Sequence, residues 1–514
     1  MLSVPLYFET IRSRPALAFW LATLAQAALW LAVPLIFYSA PPAGLAQVLA
    51  IGHQFQFDSD VGPPFAFWLA EIAFRLGGRF GVYLLSQICV VTTYWCVFKI
   101  GSAILGPVQA VLAVLLMVGV APFTVPTPDF GPAILTMALW ALVLWQYWQA
   151  VAQKHSRSWY ALGCAAAFIL LTSEAALILL GTLALFTVLT ARGRAALERI
   201  EPWIVVAILL GLLFLHLLWL EGAGDSLTPI LHRLREADTA GRNTVAWLRL
   251  AAALVLAHAG LAVLVVLAGG WASAGSAPTP ALTRATVNDF GRSFLKTFAF
   301  VPAVVSTTVA VVIGRTTPIG GAAPLLVFSA LAVVLFAGES IVLYHQRILG
   351  LAWAGLLVLP ALLVPVVMVL LPFTLGTELA VTAPAAAMGR FFADSFQKRT
   401  GRPLAVVTGE IGTAAIVALG APSRPSVYFD DDPQRSPSVT LDDIRRKGAV
   451  VVWMTPDTTP TPPPAIRAVF PDLVAEVPQT FERSVQGRMQ SLRVGWGVIR
   501  PVAAALAPAQ TKGR

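Results

Sequence analysis

Long apolar segments separated by short polar loops dominate the first 375 residues of the chain. A membrane-spanning helix needs about 20 mainly apolar residues. A further apolar region, residues 159–190, is interrupted by Thr172-Ser173-Glu174 and has basic residues on both flanks, so we interpret it as a hairpin of two helices. With this hairpin the sequence predicts eleven spans, the other nine lying near residues 16–38, 80–98, 103–121, 131–150, 202–220, 246–268, 294–313, 324–344 and 349–373.

The pattern changes near residue 376, where helix-like and strand-like stretches begin to alternate. Such alternation predicts a small α/β domain with a largely parallel sheet. We therefore expect two domains, residues 1–375 in the membrane and residues 376–514 outside it. The predicted helices are Ala383–Thr400, Glu410–Leu419 and Leu441–Lys447, and the predicted strands are Leu404–Val407, Ser426–Phe429, Ala449–Trp453 and Leu492–Ile499.

Composition supports a membrane protein. Hydrophobic residues make up 57% of the chain and charged residues only 12%, whereas about a quarter of the residues of soluble domains are charged.

The net charge of +9 comes from basic residues dispersed beside apolar segments, which argues against nucleic acid as a partner. Cys89, Cys96 and Cys164 all fall in apolar stretches, so neither a disulfide nor a metal site is predicted. The fold class is a polytopic α-helical membrane protein with a C-terminal α/β domain.

The basic residues of the short loops fall on one side of the predicted membrane, which we call the basic side. By the positive-inside rule this side and the N-terminus are cytoplasmic, and the C-terminal domain lies on the opposite face of the membrane. The opposite side receives residues 39–79, 122–130, 221–245, 314–323 and everything after 373, and it carries Asp58, Asp60, Asp129 and Glu174. The residues of the basic side are Arg12, Arg14, Lys99, Lys154, Arg157, Arg192, Arg194, Arg199, Arg284, Arg292, Lys296 and Arg347.

The loop from His53 to Trp68 contains the first candidate chemistry. Asp58 and Asp60 are two residues apart, so in an extended loop both side chains face the same way. Such carboxylates suit a base acting on an acceptor hydroxyl, or ligands for a divalent cation that bridges to a phosphate. The alternative interpretation is a solvated loop whose acids and prolines end one helix and begin the next.

Other polar residues on this side are also candidates, and Asp129, Arg75 and Arg79 have two interpretations each. Asp129 either orients a substrate or caps the following helix. Arg75 and Arg79 either pair with a lipid phosphate or anchor a helix end among head groups. Glu174 interrupts an apolar region, where an ionisable group indicates function. The sequence has no nucleotide-binding P-loop, no G-x-S-x-G motif with partners and no H-E-x-x-H motif.

Three short motifs resemble the membrane-embedded glycosyltransferases of the GT-C superfamily. The resemblance points to the family-39 group, which includes protein-mannosyltransferase-like and aminoarabinose-transferase-like enzymes. It covers most of the first 220 residues and extends to the plan of many spans with a periplasmic α/β tail. The motifs are Pro63-Pro64-Phe65 followed by Trp68, Pro128-Asp129-Phe130, and Trp159-Tyr160-Ala161-Leu162-Gly163 leading to Leu170-Leu171-Thr172.

The resemblance implies transfer of a sugar from a polyprenyl-phosphate carrier to a lipid, glycan or protein hydroxyl on the outer face. An acid of the first loop then serves as base, with Asp60 the first choice and Asp58 the second. No cofactor is called for apart from the divalent cation that the acids would suit, and no metal ligands are assigned. The remaining substrate-binding candidates are Asp129, Arg75, Arg79, His53 and Glu174.

Two functions from other classes remain open. The turn has the pattern Lys-x-Pro-Pro-Leu in relatives, whereas here it is Val61-Gly62-Pro63-Pro64-Phe65. Residues 43–47 lack the acids that relatives have there, and Ser173 occupies the position of the relatives' hairpin lysine. These departures favour a non-catalytic membrane partner in a cell-envelope complex. A lipid or solute transporter would need a continuous polar path through the spans, which the scattered His and Glu residues do not supply.

Overall fold

The computed structural model describes residues 4–55, 62–222, 243–269, 281–343, 346–429, 439–456, 458–459 and 461–502. Helices dominate the first three quarters of the chain. They are α1 (Val4–Ser13), α2 (Pro15–Phe37), α3 (Ala43–Gly52), α4 (Phe65–Ile104), α5 (Pro107–Met117), α6 (Pro132–Val151), α7 (Arg157–Leu170), α8 (Ala175–Leu189), α9 (Ala191–Leu197), α10 (Glu201–Gly222), α11 (Thr244–Leu256), α12 (Ala259–Ala268), α13 (Asp289–Val312), α14 (Ala322–Leu325), α15 (Ser329–Phe336) and α16 (Gln346–Thr374).

The chain is a multi-pass membrane protein. Within the described residues, five helices are long and apolar enough to cross a membrane, namely α2, α4, α6, α13 and α16. The number rises to seven if α8 with α9 and α11 with α12, each bent at a short break, are counted as one span each. The prediction of eleven spans is higher partly because turns divide several apolar stretches. The predicted span 103–121, for example, contains the end of α4 and the 11-residue helix α5.

The chain divides into two compact units. Residues 1–33 and 82–363 form the first, which we call the helical unit. Residues 34–81 and 364–514 form the second, which we call the α/β unit. The α/β unit therefore contains the first-loop region, with α3 and the start of α4, in addition to the C-terminal residues 376–514.

Aromatic side chains form the centre of the helical unit. Phe294 of α13 stacks against Tyr147 of α6 with ring centroids 6.0 Å apart, and Phe186 of α8 meets both Phe294 and Phe298 edge-on. Edge-to-face and offset pairs of this kind stabilise a packed core beyond the area that they bury. They hold α6, α8 and α13 together.

Loops predicted for the side opposite the basic side meet within the helical unit. A Cβ added to Gly320 would lie 2.4 Å from the Cβ of Ala175 and 3.5 Å from Oγ of Ser173. The hydroxyl of Ser306 donates to the carbonyl of Ile319 at 3.1 Å, which fixes the same loop to α13. The tip of the predicted hairpin and the loop after α13 are therefore neighbours.

A five-stranded mixed sheet forms the core of the α/β unit. A separate two-stranded pair, β1 (Leu282–Thr283) with β2 (Ser340–Ile341), is the strand structure of the described residues of the helical unit. In the sheet β3, β4 and β5 are parallel and β7 is antiparallel to both β5 and β6, in the order β4-β3-β5-β7-β6. Its elements are α17 (Ala385–Thr400), β3 (Val406–Gly409), α18 (Ile411–Gly420), β4 (Ser426–Phe429), α19 (Leu441–Lys447), β5 (Ala449–Met454), α20 (Pro464–Val469), β6 (Val474–Phe481) and β7 (Leu492–Ile499).

The sequence predicted these elements except β6 and α20, and it predicted a largely parallel sheet where the structure has a mixed one. Strand β6 contains Pro478, which cannot donate a hydrogen bond to a neighbouring strand. The strand accordingly lies at the edge of the sheet and has a register shift between Glu476 and Gln479. Buried Val406, Val451 and Trp453 pack beneath the helices of this unit.

Candidate functional site

A nearly inaccessible carboxylate surrounded by cationic side chains lies in the α/β unit. The Glu71 side chain is only 2% exposed. Its Oε1 atom lies 2.9 Å from Nε of Arg75 and 3.1 Å from Nδ1 of His53, and its Oε2 atom lies 2.7 Å from Nη2 of Arg424. Glu71, His53, Arg75 and Arg424 are hereafter the Glu71 cluster.

Local packing places the first three members. A Cβ added to Gly52, the last residue of α3, would lie 2.2 Å from the carbonyl oxygen of Phe67 and 3.4 Å from Cβ of Glu71. Only a residue without a side chain permits this approach, and it brings His53 to the carboxylate. Arg75 follows Glu71 by four residues, so the two side chains occupy the same face of α4.

Arg424 comes from the far end of the chain, in the turn between α18 and β4. Its backbone has φ of +47°, an uncommon conformation for a residue other than glycine. The guanidinium lies 4.4 Å from the ring centroid of Phe74, and its Nη1 atom is buried without an acceptor in the described part of the chain. Burial lowers the pKa of Arg424, and the charge of Glu71 opposes that effect.

The Glu71 cluster carries an excess of positive charge. Arg75 and Arg424 are charged at neutral pH and Glu71 supplies one negative charge, so the net charge is +1 when His53 is neutral and +2 when it is protonated. The Arg75 side chain is 54% exposed, so part of this charge is accessible from outside. Arginine side chains arranged in this way are suited to binding a phosphate or carboxylate.

Further contacts fix the first-loop region within the α/β unit. The side-chain amide of Gln54 donates to the carbonyl of Val427 at 3.4 Å, and the backbone NH groups of Ser39 and Ala40 donate to the carbonyl of Val381 at 2.9 Å each. Nη1 of Arg79 donates to the carbonyls of Tyr38 and Ser39 at 3.2 Å, which gives this arginine a structural role.

The structure brings together His53 and Arg75 of the predicted site residues. Asp58 and Asp60 lie outside the described residues, so their predicted role as base stays a prediction. Glu174 is in the helical unit, where it pairs with Arg315 at 3.0 Å. Asp129 is in the same unit, and its backbone NH donates to the carbonyl of Pro126 at 3.0 Å just before α6. Among the described residues, no three His, Cys, Asp or Glu side chains form a metal-binding group.

The sequence prediction missed Glu71 and Arg424. Glu71 had a usable signal, because an acid four residues before an arginine in a helical stretch predicts an ion pair. Arg424 had none, because 353 residues separate it from Glu71. Only the folded arrangement of α3, α4 and α18 brings the two together.

Comparisons with known proteins agree with this architecture. Residues 61–219 match a sequence family described as dolichyl-phosphate-mannose-protein mannosyltransferase. A comparison with curated protein sequences gave no significant match. The resemblance to GT-C glycosyltransferases that the motifs indicated is confirmed by the family match and by the fold.

Two solved structures, both of one protein, resemble the chain in fold, and a third is a weaker match. ArnT from Cupriavidus metallidurans bound to undecaprenyl phosphate has 12% sequence identity and a TM-score of 0.57, with 96% of this chain and 99% of that chain covered. The apo state of that protein has 11% identity and the same TM-score, with 94% and 98% covered. The archaeal oligosaccharyltransferase AglB from Archaeoglobus fulgidus, solved with an inhibitory peptide and a dolichol-phosphate, has 10% identity, covers 86% and 70%, and has a TM-score of 0.46, which is too low to establish a shared fold.

The family match and the fold cover the chain in different ways. The sequence match includes the Pro-Pro turn, α4 and the predicted hairpin, whereas the structural match extends through the C-terminal sheet. This protein is thus a multi-pass membrane protein with the fold of ArnT, and over residues 61–219 it has the sequence signature of the dolichyl-phosphate-mannose-protein mannosyltransferases, a glycosyltransferase family of the GT-C type.

Proposed function

We propose that this protein transfers a sugar from a polyprenyl-phosphate carrier to a lipid, glycan or protein hydroxyl on the periplasmic face of a bacterial inner membrane. The observation that carries the proposal is the accessible positive charge of the Glu71 cluster, which adjoins the acidic first loop in sequence. The family match supports a donor of this class, since its description names a dolichyl-phosphate-linked mannose. ArnT, whose fold the chain shares, has been solved with undecaprenyl phosphate.

Arg75 is the residue to which we assign the carrier phosphate. Glu71 holds its Nε atom at 2.9 Å, and the guanidinium lies 4.8 Å from the ring centroid of Phe55. These two contacts orient the guanidinium while leaving half of the side chain exposed. A phosphate on this group would be held by charge-assisted hydrogen bonds. Arg79 is the weaker candidate because its Nη1 atom already binds backbone carbonyls.

The base comes from the first loop in this proposal. Asp60 is the first choice because it is nearer the Pro-Pro turn, and Asp58 is the second. The base accepts the proton of the acceptor hydroxyl while the hydroxyl oxygen attacks the sugar carbon and the polyprenyl phosphate leaves. His53 orients donor or acceptor, and residues 376–514 cover the site or bind the acceptor. The orienting role of Asp129 and Glu174 and the assignment of residues 1–375 to the transferase domain stay predictions.

Transfer by the purified protein, reconstituted with a panel of polyprenyl-phosphate sugars and envelope-lipid acceptors, tests the proposal. We expect turnover that is lost in Asp60→Asn. Turnover that survives in Asp60→Asn but disappears in Asp58→Asn would move the base to Asp58. No turnover with any donor would favour the non-catalytic partner, in agreement with the valine at the position of the relatives' lysine.

Arg399 provides a matched control for the phosphate assignment. It pairs with Glu476 through Nε at 2.9 Å and lies 4.7 Å from the ring centroid of Trp496, so its contacts closely resemble those of Arg75. We expect Arg75→Gln to raise the KM for the polyprenyl-phosphate donor and Arg399→Gln to leave it unchanged. Equal effects of the two substitutions on this KM would overturn the assignment of the carrier phosphate to Arg75.

A further inference from the structure

The helical unit contains an apolar groove of about 600 Å³ that is separate from the Glu71 cluster in sequence. This volume is within the range of about 300–1,000 Å³ that is typical of small-molecule sites. The walls come from six helices or their connections and include Leu21 of α2, Leu116 of α5, Leu264 of α12 and Ala337 beside α15. Nε1 of Trp353 donates to the carbonyl of Leu115 at 3.0 Å, which fixes α16 against α5 along one wall.

The groove lies towards the basic side of the helical unit. Its lining includes Ile11 just before α2, Gly269 just after α12, and Leu349 in the first turn of α16. Each of these residues is at the end of a helix that the sequence places on the basic side. The walls lack charged side chains and their surface is mainly apolar, so the groove suits a hydrocarbon chain and not a polar solute.

Positive charge exceeds negative charge at the same helix ends, where exposed Glu9 and Glu339 adjoin the lining residues Thr10 and Ser340. Arg12 follows the lining residue Ile11, and Arg347 precedes Leu349 by two residues and is exposed. Arg284 follows Thr283, which pairs in β1–β2 with the lining residue Ser340. Its Nε and Nη2 atoms donate to the carbonyls of Gly338 and Leu335 at 3.1 Å, and its Nη1 atom is buried with no acceptor among the described residues.

We propose that this groove binds one acyl chain of an anionic phospholipid whose phosphate lies near Arg12 and Arg347. An apolar wall beside cationic residues matches the two ends of such a lipid, and basic pockets between transmembrane helices are suited to anionic head groups. Arg284 secures the mouth by holding the end of α15. The bound lipid stabilises the helical unit and takes no part in sugar transfer.

The test uses the full-length protein in nanodiscs made from an equal mixture of phosphatidylglycerol and phosphatidylcholine, followed by native mass spectrometry. We expect the protein to retain phosphatidylglycerol in preference to phosphatidylcholine. The substitution Ala337→Trp fills the groove and should abolish retention, whereas Leu359→Trp, on an exposed position of α16 outside the groove, should not. Retention that is equal in both variants would overturn the proposal, as would retention of phosphatidylcholine in place of phosphatidylglycerol.

A second pair of variants tests the head group without altering the groove. Arg12→Gln and Arg347→Gln should each reduce the preference for phosphatidylglycerol about fivefold while a lipid is still retained. Arg249→Gln, on an exposed position of α11, is the matched control and should leave the preference unchanged. An unchanged preference in Arg12→Gln and Arg347→Gln would overturn the assignment of an anionic lipid, even if Ala337→Trp does not fold.

Discussion

Two acid–arginine arrangements, one in each unit, differ in nearly every physical respect. Glu71 of the α/β unit is 2% exposed and has three cationic partners. Glu174 of the helical unit is 49% exposed and pairs with Arg315, which is 43% exposed. Water screens the Glu174–Arg315 pair strongly and screens the buried Glu71 carboxylate much less. Of the two acids, Glu174 is nevertheless the one for which the apolar sequence context predicts a function.

The comparison teaches that an acid in an apolar stretch is informative only when its partners are known. Both acids have apolar neighbours in sequence. The break between α7 and α8 puts Glu174 at a helix end where solvent reaches it, whereas α4 directs Glu71 towards α3 and the turn that carries Arg424. Removing a buried charge leaves its partners uncompensated, and removing an exposed one does not.

The largest effect should come from Glu71→Gln. This substitution leaves Arg75 and Arg424 facing each other without a counter-charge, so we expect the free energy of unfolding of the α/β unit to fall by about 2–4 kcal/mol. The estimate is below the full range for buried pairs because Arg75 is half exposed. Thermal unfolding of the detergent-solubilised protein measures the change. A fall no larger than that of Glu174→Gln would show that the two acids contribute equally to stability.

The next effect concerns the backbone that positions the Glu71 cluster. Gly52→Ala introduces a Cβ 2.2 Å from the carbonyl oxygen of Phe67, so α3 must move away from α4. Overpacking of this kind costs about 1–3 kcal/mol. Gly412→Ala on α18 is the matched control, since its Cβ would have no atom within 4 Å. Equal melting temperatures for the two variants would show that α3 has room to shift without loss.

Gly320→Ala makes the corresponding change beside Glu174. The residue has φ of +78°, and an added Cβ would lie 2.4 Å from Cβ of Ala175. The left-handed conformation alone costs a residue other than glycine about 1–2 kcal/mol. We expect a comparable fall in the stability of the helical unit, with Gly181→Ala on α8 as a control that has open space at Cβ. No fall in stability would indicate that this loop rearranges freely. The close approach at Gly320 would then differ from the one at Gly52, which is expected to limit stability.

These expectations mark what the sequence could and could not predict. Strands β4 and β7 and helix α19 match their predicted bounds, because turn residues flank each of them. Local pairing could also have identified Glu71 with Arg75. The sequence could not predict that Gly52 allows α3 to contact α4, or that Arg424 reaches the same carboxylate, because both depend on tertiary packing across long chain separations.

The smallest effect on stability should come from Glu174→Gln. Both members of the Glu174–Arg315 pair are nearly half exposed, and exposed pairs contribute at most about 1 kcal/mol. High salt should remove even this difference between wild type and variant, because an exposed pair is screened. The same salt should leave most of the loss in Glu71→Gln in place, since the carboxylate of Glu71 is shielded from solvent. Melting temperatures at low and high salt for both variants therefore measure the contrast directly. If Glu174→Gln reduces sugar transfer while the melting temperature hardly changes, Glu174 acts on a substrate, because a purely structural pair this weak would leave transfer intact.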